Sequence, residues 1–265
     1  MLKNLPTFLD ILGLEDEPMG VLFSDNEPGE GFSPSKNDLP TRERERMNEI
    51  DWQGIFDGFS CATGLIQRAR KKKTTAYFSK NQFGCPGGAF WMGFMKPQTE
   101  MIIHYASSGI PGSIEGEGYC ESPDALRKIY NSVDPEPVPT KYLIFKPIGQ
   151  FRKGETATSV IFFAKPESLS GLHQLATFVT NDPEVVASPC SAACGSLVAW
   201  PRHYAAKNKI RAVIGGWDPS ARKFFKQNEL SFTVPFSLFI DMLNRFDSSF
   251  LTKKDWNTVR KRITN

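Results

Sequence analysis

The sequence predicts an α+β (mixed α/β) fold: one domain spanning residues 1–265, with a mixed sheet flanked by helices. Three observations predict it. Segments whose apolar residues recur at helical spacing are interleaved with short runs rich in β-branched and aromatic residues. Forty percent of the 265 residues are hydrophobic, enough to bury a core, and the length suits one large domain or two small ones. No self-similarity at a period of about 20–50 residues is visible, which excludes solenoids and propellers.

The elements follow in order. Between Leu2 and Leu14, Leu5, Phe8, Leu9 and Leu12 fall near helical spacing and predict an amphipathic helix. Pro18 to Phe23 reads as a short buried strand. Residues 25–50 are polar and rich in Pro, Gly and charge, and read as a surface insert or flexible loop. Ile55, Phe56, Phe59, Cys61, Ala62 and Leu65 predict a helix that carries Cys61 and runs to Arg70. The Lys71-Lys72-Lys73 cluster at its end favours the helix dipole and needs no ligand. Thr74 to Phe78 has strand character. Gly84 to Gly88 forms a tight loop, and a buried helix starts just after Pro86. Residues 110–118 form a Gly-rich loop without the lysine of a phosphate cradle. Ser122-Pro123 reads as a cap and first position of another helix. In the second half, strands are expected near 141–146, 158–163, 210–214 and 230–234. Helices are expected at 168–179, 237–245, 253–263 and at 192–203, the last interrupted by Pro201.

Charge and composition exclude function classes. Lys and Arg number 32 against 29 Asp and Glu, a formal net charge of +3, too balanced for a dedicated nucleic-acid binder. No run approaches the ~18 apolar residues of a membrane span, and the first residues lack a signal-peptide pattern. A cytoplasmic protein without nucleic-acid or membrane partners is expected. In such a setting five cysteines are not a disulfide framework.

Four of the five stand in suggestive company. Cys85 lies 24 residues after Cys61, inside Gly-Cys-Pro-Gly-Gly, and Cys190 and Cys194 form a C-x-x-x-C pair. Thiolates that bind a metal or an iron–sulfur cluster must converge, with backbone amides turned toward the sulfur charge. Gly87 and Gly88 permit that close approach, and the following helix N-terminus adds positive potential beside Cys85. Cys61, Cys85, Cys190 and Cys194 are therefore the expected metal ligands. An iron–sulfur cluster is the expected cofactor and zinc the alternative. Two other readings stay open: a thiol enzyme with Cys85 as nucleophile, and a domain binding a small molecule without metal or catalysis, lined by Gly87 and Gly88. Cys120, in Gly-Tyr-Cys-Glu-Ser, lacks comparable surroundings and reads as structural. Of the histidines, His104 lies on an apolar run and His173 on a surface helix, and only His203 is placed to approach the Cys190–Cys194 pair. In Gly215 to Lys223, which follows a strand, Arg222 is the candidate anion-binding residue.

These pieces together resemble domain-of-unknown-function family 169, described as ArCR. The resemblance rests on Pro18–Phe23, the Cys61-Ala-Thr-Gly-Leu segment, Cys85-Pro-Gly-Gly-Ala with Gly93, Cys190 before a helix, and Ser220-Ala-Arg-Lys followed by 229–235. It implies that Cys61, Cys85 and Cys190 share one site. It carries no established activity. The family pattern often has a Cys in the turn before the Ala-Arg pair, where this chain has Gly216-Trp217-Asp218-Pro219. Cys194 then either replaces that ligand or leaves a three-thiolate site.

Overall fold

A seven-stranded sheet in the order β2-β5-β1-β6-β9-β8-β7 organises the chain. Its strands are β1 Met19–Ser24, β2 Ala76–Ser79, β5 Tyr142–Pro147, β6 Ser159–Ala164, β7 Val186–Ala187, β8 Ala212–Gly215 and β9 Leu230–Pro235. All neighbours pair antiparallel except β7 and β8, which are parallel. The computed structural model describes residues 2–36, 51, 54–55, 58–95, 100–133 and 135–264. Of the polar insert expected at 25–50, the part from 37 on lies outside these. The described part runs beside β2, where Phe32 bridges Ala76.

The central strands are apolar because both faces of the sheet are covered. In β6 all six residues are buried, and they alternate: Ile161 and Phe163 join one core, Val160, Phe162 and Ala164 the other. The second core is closed by α1 (Leu5–Leu12), α6 (Pro166–Thr180), α9 (Phe236–Arg245) and α10 (Lys254–Thr264). The first is closed by α2 (Ala62–Lys72), α3 (Pro86–Met92) and the helical stretch ending in α7 (Trp200–Ala206). A smaller layer, α4 (Glu100–Tyr105), the hairpin β3–β4 (Gly109–Ile110 and Ile114–Glu115) and α5 (Pro123–Ser132), lies outside both and has its own small apolar clusters. A single turn, α8 (Pro219–Arg222), completes the described elements.

The expected fold class and most elements hold, with boundaries shifted by a few residues, as at β1 and α6. Ser122 caps α5, accepting a hydrogen bond from the Ala125 amide at 3.2 Å. Three expectations need correction. The helix carrying Cys61 begins only at Ala62, because Cys61 has extended geometry (φ −68°, ψ 123°) and stands at the N-cap position. Pro201 does not interrupt the helix after Cys194. A π turn, Gly195–Ala199, immediately precedes it, and the wider winding passes a residue with no N–H to give. Residues 110–118 are not wholly loop, since Ile110 and Ile114 pair across the β3–β4 hairpin.

Arg70, read as part of a basic helix end, is instead buried. Its guanidinium grips the Glu229 carboxylate with two bonds of 2.7 and 2.9 Å and reaches Asp16 at 2.6 Å. This fork fastens the C-terminal turn of α2 to the start of β9, and so fixes the direction in which the N-terminus of α2 points.

Candidate functional site

Sequence-distant segments meet at a cavity of about 480 Å³ between the outer α4–α5 layer and the N-termini of α2 and α3. All five cysteines line it. Local chain geometry explains how the first two come together. Gly84 is in the left-handed region (φ +85°), and a Cβ there would lie 2.5 Å from the Ser60 carbonyl oxygen. Only glycine lets the Cys85 loop run against the Ser60–Cys61 segment. Gly88 repeats the device one turn on: its hydrogen occupies a gap bounded by the Cys85 sulfur and Ala62 Cβ. Cys61 and Cys85 thus stand at the N-cap positions of two adjoining helices. The Gly88 amide donates to Cys85 Sγ at 3.2 Å.

Cys194 is brought in from the opposite side. It is buried just ahead of the π turn. The turn is held by Asp218, whose Oδ2 accepts the Ala193 amide at 3.1 Å while Oδ1 accepts the Ser220 amide and hydroxyl at 3.0 and 2.8 Å. The close packing of Gly215 against Ser196, where no Cβ would fit, sets the depth of this turn against β8. Cys190 is exposed at the rim.

Electrostatics agree with this grouping. Burial pushes the Cys85 thiol up to about 12, and the charge of a Cys61 thiolate adds to the effect. Burial also raises Cys194 well above the usual thiol range, with Cys85 and Cys61 as the next causes. Cys61 is raised by burial against the opposing pull of the Gly64 and Thr63 amides. The three sulfurs feel one another, and without a bound cation all three are protonated near neutral pH.

The expected residues divide. Cys61, Cys85, Cys190 and Cys194 share the cavity, together with Gly87 and Gly88. Arg222 is not on its wall: it donates to the Glu229 carbonyl oxygen and lies over the Phe225 ring. Its neighbour Lys223 lines the cavity instead. His203 packs edge-on against Trp200, away from the wall. Cys120, read as structural, packs against the Ile103–Ala106–Leu126 cluster and also lines the cavity; after burial a Cys190 thiolate is the main influence raising it. The tie that brings it there is tertiary, the Tyr119 hydroxyl accepting the Ser220 amide at 3.0 Å.

Glu117, Asp218, Tyr119 and Tyr130 also line the cavity and were not singled out from the sequence. Desolvation first, then the charge of Asp218, pushes Glu117 up to about 7. The one available signal was the placement of Asp218 in the strand-end turn, where the family pattern often has a Cys.

Fold and cavity define a class: an α+β protein whose free cysteines converge on one partly apolar chamber. The chain belongs to domain-of-unknown-function family 169, uncharacterised ArCR, whose profile matches residues 7–245. Neither a curated protein nor a solved structure matches it significantly. Among the described residues, no helix is long and apolar enough to cross a membrane.

The donor set can be tested against the expected cofactors. Among the described residues, no three His, Cys, Asp or Glu side chains are grouped to hold one metal ion. Either zinc or an iron–sulfur cluster would need thiolates converging on it, with metal–sulfur bonds of ~2.3 Å; Cys61, Cys85 and Cys194 line one cavity.

Proposed function

We propose that the cavity holds an iron–sulfur cluster through Cys61, Cys85 and Cys194, with Cys190 supplying the rim position, and that the protein has a redox or sensing role. The observation that carries this reading is the convergence of two N-cap cysteines and a third buried cysteine on one chamber. When bound, such a group supplies one-electron transfer. The chain's own residues do the rest. The Gly88 amide is aimed at the Cys85 sulfur, where it stabilises a thiolate. Asp218 fixes the backbone beside Cys194 through the Ala193 amide. Trp91 and Ala62 wall the chamber and exclude water, which tunes the potential of a buried redox group.

The thiol-enzyme reading is less well supported. An activated nucleophile needs a lowered pKa, and burial drives Cys85 the other way, to about 12. The helix N-terminus favours the thiolate, but desolvation outweighs it.

Anaerobic reconstitution with iron and sulfide tests the proposal. Brown protein with broad absorbance near ~400 nm is expected. Cys85→Ser and Cys194→Ser should abolish the colour, and Cys120→Ser should retain it. Colourless, iron-free protein after reconstitution overturns the reading.

A further inference from the structure

The chamber has a second half that the cysteines do not use. At about 480 Å³ it lies in the range of cavities that enclose organic ligands. Aromatic side chains dominate this part: Tyr105, Tyr119, Tyr130 and Trp217 all face it. Two carboxylates stand among them. Asp218 is 8% exposed, and the hydrogen bonds to its two oxygens come from neutral donors, so its charge is not neutralised by an ion pair. Glu117 stands between two charges: Asp218 opposes its ionisation and Lys223 favours it. Among the described residues Lys223 is the one cation lining the wall; it lies over the Phe224 ring, 5.4 Å from its centroid, and its charge also reaches Glu117. The Asp218 charge makes its side of the chamber negative, and the same charge acts on Cys61, Cys85 and Cys194.

Aromatic faces with a nearby carboxylate are the chemistry that recognises an organic ammonium ion. The ring quadrupoles attract the cation, and the carboxylate gives it a counter-charge in a desolvated setting. An anion would meet Asp218 and Glu117 with Lys223 as the single offsetting cation among the described residues, and an uncharged molecule would leave the Asp218 charge without a counter-ion.

We infer that the chamber binds a small organic ammonium ion, its cationic head between Glu117, Asp218 and the tyrosine faces, and its apolar body toward Ile102 and Leu126. This goes beyond the cluster reading and does not depend on it. The ammonium site itself stands on Glu117, Asp218 and the aromatic wall, which are present without metal.

The test uses the full chain, metal-free and reduced, titrated calorimetrically with phenyltrimethylammonium. Its uncharged isostere tert-butylbenzene and the anion benzenesulfonate serve as comparisons. The cation should bind about tenfold tighter than the isostere, and benzenesulfonate should not bind. Glu117→Gln should weaken the cation several-fold and leave the isostere unchanged. Gly87 lines the chamber and a Cβ there meets nothing within 4 Å, so Gly87→Phe adds bulk at the wall and should abolish binding of both. Equal affinity for cation and isostere, binding of the anion, binding that survives Gly87→Phe, or no binding at millimolar cation overturns the inference. Repeating the titration after iron–sulfide reconstitution separates the two claims. Failure to take up iron leaves the metal-free result standing, and failure to bind the cation leaves the colour of the reconstituted protein standing.

Discussion

Replacing Arg70 by methionine should destabilise the protein more than any surface change, and the structure allows the size to be worked out. Arg70 and Glu229 are 5% and 2% exposed and share two hydrogen bonds. The long methionine side chain refills most of the volume over the Phe163 ring, where the guanidinium lies 4.6 Å from the centroid. The packing loss is therefore small. The larger cost is Glu229, left buried with Lys226 as its nearest cation at 3.9 Å. Removing one partner of a buried pair costs about 3–5 kcal/mol, a large part of the about 5–15 kcal/mol that holds a domain folded. Asp16 is less affected because Lys226 still reaches it at 2.9 Å. Urea unfolding followed by tryptophan fluorescence reads the effect. With a slope of about 3 kcal/mol/M the midpoint should fall by about 1–1.7 M. The double variant Arg70→Met with Glu229→Leu leaves no stranded charge and should recover at least half of the loss. A midpoint shift under about 0.3 M, or a double variant as unstable as the single one, refutes the reasoning.

Three further outcomes are expected. Gly84→Ala forces a strained left-handed backbone and a Cβ against the Ser60 carbonyl oxygen. It should cost about 2 kcal/mol or more and halve iron uptake at least, measured by urea unfolding and iron content together; unchanged values would refute the role given to Gly84. Iodoacetamide at neutral pH should label exposed Cys190 first, part-buried Cys85 far more slowly because its thiol is held protonated, and buried Cys194 only after unfolding, as peptide mass spectrometry would report; labelling of Cys85 as fast as Cys190 contradicts its raised thiol. Lys165 and Lys226 hold the Glu15 carboxyl below its ordinary 4.5. Because the folded-state value is depressed, this contribution is present above pH 4.5 and is lost as pH falls through the folded value. Lys226→Met should flatten the acid limb of a stability–pH curve, and an unchanged limb would show that the pairing contributes nothing.

Elements with strong local signals were legible in the sequence. Ser122-Pro123 marked the start of α5, because a cap side chain and a proline at the first position act within one turn. The apolar run at 158–163 marked β6, a strand buried on both faces. The start of α2 was misplaced because Ile55 and Phe59 continue the helical spacing of the residues that follow. Their apolar character serves another purpose: Phe59 lines the chamber. Pro201 was read as a break because a proline removes one N–H, and the sequence does not show that a π turn can absorb the loss. Cys85 was picked out by its Gly-Cys-Pro-Gly-Gly loop, Cys190 and Cys194 by their spacing, and Cys61 by its predicted helix, whereas Cys120 offered no such pattern.

The sequence by itself determined the class of the fold, the order of most elements and the close approach at Gly88, since these depend on spacing, capping and an absent side chain; at Gly87, read the same way, a Cβ would meet nothing within 4 Å, and the tightest approach falls at Gly84 instead. Tertiary structure decided which residues share a wall. Arg70 is a buried anchor because Glu229, 159 positions away, folds onto it. Arg222 leaves the site because the Glu229 carbonyl takes its guanidinium. Glu117, Tyr119 and Cys120 enter it because one hydroxyl accepts one amide 101 positions further on. Such pairings follow from the antiparallel sheet order and the docking of the outer layer, which bring distant segments within hydrogen-bond reach, and no local pattern encodes them.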